Sequence, residues 1–266
     1  MTGSGNDFVM VDARLSGPDE WSAADMRAAC ARATGVGADG LVFVGPGSAP
    51  GSARMTYFNS DGSHAAMCGN AALCATRLAA RLGLAPAAGM RLETDAGVLE
   101  SRCLADDQPA ELRLAPTEPP RAVPGLATAH GERRAVLGVV GVPHLVVLVD
   151  DVDAVDLERR GRALRNDRAL GPPGANVNFI SPGPRPSEWR MRTYERGVEA
   201  ETLACGTGAV TAALAVEGWA LGRLPTTIIT RGGQRLEVSG RRTDGGSYDE
   251  IWLSGEARLV FRGVLT

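Results

Sequence analysis

Two cysteines in matching sequence surroundings are the residues of this chain best suited to acid–base chemistry. They lie in Met67-Cys68-Gly69-Asn70 and in Ala204-Cys205-Gly206-Thr207-Gly208, and each follows a tyrosine, Tyr57 or Tyr194, by eleven residues. Each cysteine comes after a β-rich segment and before an alanine-rich segment. The two are 137 residues apart in a chain of 266. The sequence therefore predicts an internal repeat with one cysteine in each half.

A cysteine at the start of a helix is activated by the helix itself. The first N–H groups of a helix lack carbonyl partners and carry partial positive charge, which stabilises a thiolate. The same N–H groups bind anions such as a carboxylate. Two such helix starts facing one bound anion would take a proton from one face of a carbon and return one to the other. A single cytosolic cysteine is more often structural, but the matched pair favours catalysis.

The elements that must position these cysteines follow from local patterns. The Cys68 helix is predicted to run to Leu82, and Ser22 caps a helix to about Thr34. A further helix is predicted over about 157–170, interrupted by Gly161. Strands are predicted at 8–12, 41–44, 54–58, 90–94, 98–103, 111–114, 135–140, 145–149, 176–180, 189–194, 226–230, 234–239, 250–253 and 257–261. Strands with one long helix per half predict an α+β fold of two similar lobes.

Four prolines between Pro116 and Pro124 mark the crossing between the halves. We expect an N-terminal lobe over 1–118 that carries Cys68 and a C-terminal lobe over 119–256 that carries Cys205. A final strand, at about 257–266, is expected to return to the first lobe.

Composition excludes several classes of protein. A net charge of −3 and a pI of about 5.7 argue against a nucleic-acid partner. No segment has the pattern of a membrane span or a signal peptide, so we expect a cytoplasmic protein. The five cysteines form no CxxC pair, so no metal site is expected. All 28 basic residues are arginine, which excludes a pyridoxal-phosphate Schiff base and a P-loop lysine in this chain.

Several polar residues are candidates for holding a substrate. Glu195 and Arg196 precede Cys205 and could bind an amine and a carboxylate, although a solvated pair is the usual explanation. Asn6, Asn59 and Asn176 sit at strand–loop junctions, where asparagine also occurs simply as a turn residue. His144 follows Pro143 and either polarises a thiol or caps a strand.

The chain resembles the diaminopimelate epimerase family in seven segments that span nearly its whole length. These are GSGNDFVMVD (3–12), GVGADG (35–40), YFNSDGSHAAMCGN (57–70), VPH (142–144), NVNF (176–179), TYERGVEAETLACGTGA (193–209) and RGGQRLEV (231–238). The paired CGN and ACGTG motifs are the most specific of them. Proline racemases of the wider fold group have CGH at the first motif, and histidine racemases of the same fold are a closer rival.

The resemblance implies two pseudo-symmetric lobes, each a curved, mostly antiparallel sheet around a central helix. It implies a cofactor-independent epimerase of lysine biosynthesis in which Cys68 and Cys205 act on opposite faces of the α-carbon. The family positions that hold the substrate's α-carboxylate through backbone N–H groups are Gly69, Asn70, Gly206 and Thr207. The other family positions that bind the substrate are Asn6, Asn59, Asn176, Glu195 and Arg196. The expected partner is a small amino acid, and the sequence leaves a homodimer open.

Three departures from the family pattern concern the substrate rather than the reaction. Val142 stands where the family usually has asparagine, the loop after Arg196 is one residue longer, and Leu73 stands where the family has arginine. A lost polar contact of this kind accompanies a change of substrate. The alternatives are therefore the same reaction on another amino acid, such as histidine, or a binding module of this fold without catalysis.

Overall fold

A computed structural model describes residues 1–103, 105 and 108–265. Backbone contacts separate the chain into two compact units. The first comprises Met1–Arg113 together with the C-terminal segment from Ser254, and the second comprises Leu114–Leu253. The lobe boundary that the sequence places between residues 118 and 119 stays a prediction.

The first part of the chain alternates strands with two helices. The elements are β1 (Thr2–Gly3), β2 (Asn6–Asp12), α1 (Ala23–Cys30), β3 (Gly40–Pro46), β4 (Ser52–Asn59), β5 (His64–Ala65), α2 (Gly69–Arg81), β6 (Met90–Thr94), β7 (Gly97–Arg102) and β8 (Ala110–Leu114). Strands β2 and β3 are parallel, as are β4 and β6. The pairs β1–β2, β3–β4, β4–β5, β6–β7 and β7–β8 are antiparallel.

The second part repeats this order. The elements are β9 (Arg121–Ala122), β10 (Glu132–Val140), β11 (Val142–Val149), α3 (Leu157–Arg165), β12 (Asn176–Pro182), β13 (Glu188–Glu195), β14 (Ala200–Thr202), α4 (Gly206–Gly218), β15 (Thr226–Ile229), β16 (Arg235–Arg242) and β17 (Tyr248–Gly255). Strands β11 and β12 are parallel, as are β13 and β15. The pairs β10–β11, β12–β13, β13–β14 and β15–β16 are antiparallel. The fold is therefore α+β, with a mostly antiparallel pairing pattern that occurs twice.

Strand register shows which residues of the two repeats correspond. Phe8 lies opposite Gly40 where His144 lies opposite Asn176, and Val42 lies opposite Tyr57 where Asn178 lies opposite Thr193. Tyr57 therefore corresponds to Thr193 and not to Tyr194. The two tyrosines also belong to different cores, Tyr57 beside α2 and Tyr194 on the α3 side of its sheet. The equal spacing from tyrosine to cysteine is thus not a structural correspondence.

Small residues let each cysteine-bearing helix pack closely on its strands. In the first unit α2 contributes alanines, Leu73 and Cys74 to a core that includes Met55 and Leu92. In the second unit α4 contributes Ala209 through Val216, apart from Thr211, to a comparable core. Cys74 is fully buried, and burial raises the pKa of its thiol to about 12, which suits a structural residue.

Several sequence predictions differ from the structure in detail. Helix α1 ends at Cys30 because the chain folds back so tightly that a β-carbon on Gly35 would lie 2.0 Å from the Ala28 carbonyl oxygen. Helix α3 runs through Gly161 and ends at Arg165. The strand predicted at 257–261 is, within the described residues, a single bridge between Thr2 and Arg258.

The segment between the strands predicted at 135–140 and 145–149 is mostly strand. Gly141 alone makes the turn, with a φ of +69° that favours glycine, and β11 already begins at Val142. His144 consequently lies within β11, and its side chain is fully buried.

Candidate active site

Both cysteines occupy the position immediately before a helix of thirteen residues. Cys68 has extended backbone angles, and its carbonyl oxygen accepts the N–H of Ala72 at 2.9 Å as the first bond of α2. Cys205 has the same conformation, and its carbonyl oxygen accepts the N–H of Ala209 at 2.9 Å. Both side chains are half-buried. Each thiol is thus at the start of a helix, as the sequence predicts.

The N–H groups of the next residues precede the hydrogen-bond ladder of each helix. In α2 they belong to Gly69 and Asn70, and in α4 to Gly206 and Thr207. Such groups point out of the helix start and carry the positive end of its dipole. Each cysteine therefore has anion-binding donors directly after it in the chain.

In the first unit the structure brings Asn6 and Asn70 together. Nδ2 of Asn70 donates to Oδ1 of Asn6 at 2.7 Å, and Nδ2 of Asn6 donates to the Asp39 carboxylate at 2.8 Å. Arg32 donates to Asp7 at 2.8 and 2.9 Å and to Asp39 at 2.7 Å, and it holds the pKa of Asp7 below its usual value. Both ends of the Asn6 amide are thus fixed in direction.

Asn59 is placed differently from Asn6. It is the last residue of β4, opposite Gly40, and its Nδ2 donates to the Ser63 hydroxyl at 2.9 Å across the loop that follows. This bond holds the loop that leads to α2.

In the second unit Asn176 anchors the segment that carries Glu195 and Arg196. Oδ1 of Asn176 accepts the backbone N–H of Arg196 at 2.8 Å. Burial raises the pKa of the Glu195 carboxyl above its ordinary value. The structure therefore joins these three predicted residues at the end of β13.

The longer loop after Arg196 closes as a tight turn between β13 and β14. Gly197 and Glu199 have positive φ values of 93° and 57°. The Glu199 carboxylate accepts the N–H of Gly197 at 3.1 Å and Nε of Arg165 at 3.3 Å. The additional residue is thus absorbed in a turn that is tied to α3.

His144 lies inside the second unit, in contact with the residues around Cys205. Its Nε2 is 3.0 Å from the Thr207 hydroxyl, and its Nδ1 is 3.3 Å from Nδ2 of Asn178. The Thr207 hydroxyl is in turn 3.9 Å from the sulfur of Cys205. Burial, with the charge of Arg196, lowers the pKa of His144 to about 3, so the ring is neutral at physiological pH.

Sequence reasoning missed three residues that hold this site. Asp39 fixes Asn6, while Asn178 and Thr193 lie behind His144, with the Thr193 hydroxyl donating to Oδ1 of Asn178 at 2.9 Å. The signal for Asn178 was its position in β12, two residues after Asn176, which places both on the same face of the strand.

The described residues contain neither a membrane-spanning helix nor a metal-binding cluster. No helix there is both long and apolar enough to cross a membrane. Nor do those residues bring together three or more histidine, cysteine, aspartate or glutamate side chains in a way that could hold a metal ion.

The chain is similar to known proteins over nearly its whole length. The family model described as diaminopimelate epimerase matches residues 1–118 and 137–258. The diaminopimelate epimerase of Gemmatimonas aurantiaca is 47% identical, over 99% of this chain and 96% of its own. That of Aquifex aeolicus is 38% identical, over 100% of this chain and 96% of its own.

Solved structures share the fold at low sequence identity. A phenazine biosynthesis protein of the PhzF family from Bacillus anthracis has a TM-score of 0.68 and 17% identity, over 96% of this chain and 91% of its own. A predicted epimerase from Pseudomonas aeruginosa has a TM-score of 0.62 and 20% identity, over 98% of this chain and 94% of its own. At these identities the likeness concerns the fold alone.

Proposed function

Because this chain belongs to the diaminopimelate epimerase family, we propose that it is an isomerase that converts L,L-diaminopimelate to the meso isomer. The observation that carries the proposal is 47% identity over almost the full length of a relative of that name. The same reaction on another amino acid, which Val142 had suggested, is not favoured, because the relatives across the whole chain carry the diaminopimelate name. An inactive binding module is not favoured either, since both cysteines are present.

In this reaction Cys68 and Cys205 are the acid–base pair. One cysteine, as the thiolate, takes the α-proton and leaves the electron pair on the α-carbon and its carboxylate. The other cysteine, as the thiol, gives its proton to the opposite face of that carbon. The configuration is inverted, no atom is gained or lost, and the two sulfurs exchange protonation states.

The weak acidity of the α-proton has to be overcome by stabilising the negative charge that develops. We assign this role to the N–H groups of Gly69, Asn70, Gly206 and Thr207, which precede the helix ladders and would hold the α-carboxylate. Fixed donors of this kind are in place before the proton moves, so no reorganisation is needed at that moment. A metal or organic cofactor has no part in this scheme.

The other end of diaminopimelate carries a second ammonium and a second carboxylate. We propose that Glu195 accepts from the ammonium, Arg196 donates to the carboxylate, and Asn6, Asn59 and Asn176 supply amide contacts. The support is the fixed amide of Asn6 and the anchoring of Arg196 by Asn176. Val142 leaves one amide fewer than the family pattern.

The two-thiol chemistry bears on the cellular compartment in which the enzyme works. A thiolate and a thiol that act together need a reducing compartment, so we place the reaction in the cytoplasm, where meso-diaminopimelate serves lysine biosynthesis.

We further propose a homodimer, because Val260, Phe261 and Val264 in the C-terminal segment are all more than half exposed.

The test is proton exchange at the α-carbon in D₂O, followed by NMR without pyridoxal phosphate. L,L-diaminopimelate should take up deuterium while the meso isomer appears, and Cys68→Ala and Cys205→Ala should each abolish epimerisation. Cys30→Ala is the matched control, because Cys30 is buried beside Met26 in a separate core and should leave turnover unchanged. Exchange only with histidine, lysine or arginine would refute the assigned substrate, and normal turnover by either cysteine variant would refute the two-thiol mechanism.

A further inference from the structure

The side chains behind Cys205 form a hydrogen-bonded series whose direction is fixed at its buried end. Nδ2 of Asn178 lies 3.3 Å from the carbonyl oxygen of Leu145, which can only accept. This contact determines which end of the Asn178 amide is nitrogen. Oδ1 of Asn178 therefore faces Thr193 and accepts a hydrogen bond from the Thr193 hydroxyl at 2.9 Å. Asn178 and Thr193 are both buried and stand opposite each other on β12 and β13.

The orientation of Asn178 fixes the tautomer of His144. The second hydrogen of Nδ2 points to Nδ1 of His144 at 3.3 Å, so Nδ1 must be the acceptor. A neutral imidazole with an accepting Nδ1 carries its proton on Nε2. Nε2–H therefore donates to the Thr207 hydroxyl at 3.0 Å.

The direction is carried on to Cys205 through Thr207. The hydroxyl oxygen of Thr207 accepts the hydrogen bond from Nε2–H of His144. The hydroxyl hydrogen of Thr207 is therefore available to the sulfur of Cys205, which lies 3.9 Å from that oxygen. A hydroxyl that donates to sulfur favours the thiolate over the thiol.

The first unit has no counterpart of this series at the corresponding positions of the described strands. Where the second unit has His144, Asn178 and Thr193, the equivalent strand positions hold Phe8, Val42 and Tyr57. These three residues belong to the apolar core against which Cys68 packs. The ring of Phe8 meets that of Tyr57 edge-on, with centroids 6.1 Å apart. Cys205 thus adjoins a hydrogen-bonded series of histidine, asparagine and threonine that these strand positions do not provide beside Cys68, where the polar neighbour in the chain is Asn70, bonded to Asn6.

We propose that Asn178 and Thr193 are positioning residues that hold His144 as a neutral Nε2–H donor to Thr207. The Thr207 hydroxyl then donates to Cys205, so that Cys205 is the thiolate of the resting enzyme and Cys68 is the thiol. This inference rests on the proposed roles of the two cysteines, but its test requires no substrate.

Among the residues that the structure describes, few other charges adjoin this series. Arg196 acts on His144 by its charge, and Glu195 precedes it on β13. The charged residue of α4 itself, Glu217, lies near the end of the helix away from Cys205, and Arg134 of β10 donates to the Trp219 carbonyl beyond that end. A change at Thr207 or Thr193 can therefore be separated from changes in these charges.

The test is the pH dependence of alkylation, measured on both cysteines of the substrate-free protein with iodoacetamide and site-resolved mass spectrometry. In the wild type the midpoint for Cys205 should lie below that for Cys68. Thr207→Val, which keeps the shape and removes the hydroxyl, should raise the Cys205 midpoint by about one pH unit. Thr207→Ser should restore it, and Cys68 should not move in either variant.

The buried end of the series is tested in the same way. Thr193→Val should raise the Cys205 midpoint by a smaller amount, and Thr193→Ser should restore it. ¹⁵N NMR of His144 should show an unprotonated Nδ1 that does not change between pH 8 and pH 5.

A protonated Nδ1, a Cys205 midpoint above that of Cys68, or equal shifts of both cysteines in Thr207→Val would overturn the proposal. Loss of epimerase activity with the predicted alkylation profile intact would instead count against the proposed function alone.

Discussion

Gly208 stands so close to Asn178 that a β-carbon at this position would lie 2.5 Å from Oδ1 of the asparagine. The same β-carbon would lie 3.2 Å from the sulfur of Cys205. The last glycine of the Cys205 motif therefore has a steric reason: it leaves room for the amide behind His144 and for the thiol. Asn178 and Cys205 are neighbours only because residue 208 has no side chain.

Gly208→Ala should move Asn178 and raise the alkylation midpoint of Cys205, while leaving that of Cys68 unchanged. An alanine within a helix is otherwise favourable by about 1 kcal/mol, so the protein should still fold. Asn178 is fully buried and has little room to yield, so epimerase activity should fall at least tenfold. Gly69→Ala is the matched control for folding, because its β-carbon would meet nothing within 4 Å. An unchanged Cys205 profile in a folded Gly208→Ala protein would contradict this account.

The sequence predicted the parts of the site that depend on local pattern. Cys68 and Cys205 precede alanine-rich helices, and a glycine after each leaves the helix start open, so their positions could be predicted without tertiary information. His144 was a candidate, but the sequence left open whether it polarises a thiol or caps a strand, because only the register with β10 extends the strand back to Val142. Asn178 was missed, since only the parallel pairing of β11 and β12 brings it to a histidine 34 residues earlier.

Asp39→Asn should raise the KM for L,L-diaminopimelate about tenfold with little change in kcat. The carboxylate accepts from Nδ2 of Asn6 at 2.8 Å, and a charged acceptor holds an amide more firmly than a neutral one. Steady-state kinetics would distinguish this binding effect from a chemical one. Asp12→Asn is the control. Like Asp39→Asn, it replaces a carboxylate that pairs with an arginine, but the pair, Asp12 with Arg14, is on the surface. An equal loss of kcat and kcat/KM would show that Asp39 acts on the chemical step instead.

Protonation of Glu195 should weaken substrate binding at low pH. Because burial raises the pKa of its carboxyl, protonation removes the charge at a higher pH than the ordinary 4.5, so kcat/KM should begin to fall above that value as the pH is lowered. Glu195→Gln should weaken binding at least tenfold and abolish this limb. Glu201→Gln is the comparison, because Arg192 lowers the pKa of that carboxyl. A limb that persists in Glu195→Gln would assign it to another group.

Phe261→Glu should convert the proposed dimer to a monomer. The side chain is 62% exposed in an apolar segment with Val260 and Val264, and a charge there would have to be buried in an interface between copies. Light scattering coupled to size-exclusion chromatography over a range of concentrations measures the change. Leu15→Glu, at a residue 81% exposed outside this segment, should leave the dimer intact. A monomeric wild type, or a Phe261→Glu dimer of unchanged stability, would contradict the predicted interface.

Two glycines inside helices should respond to alanine in opposite directions. A β-carbon on Gly161 of α3 would lie 2.5 Å from Cβ and 2.7 Å from Cγ of Tyr194, a fully buried residue that cannot retreat. Overpacking of this kind costs about 1–3 kcal/mol, which exceeds the gain of about 1 kcal/mol in helix propensity, so Gly161→Ala should lower the free energy of unfolding. A β-carbon on Gly218 of α4 would meet nothing within 4 Å, so Gly218→Ala should raise it by a few tenths of a kcal/mol to about 1 kcal/mol. Urea denaturation of both variants measures the difference. A stabilised Gly161→Ala would mean that α3 can move away from β13, and that the turn tied to Arg165 is not held as the structure shows.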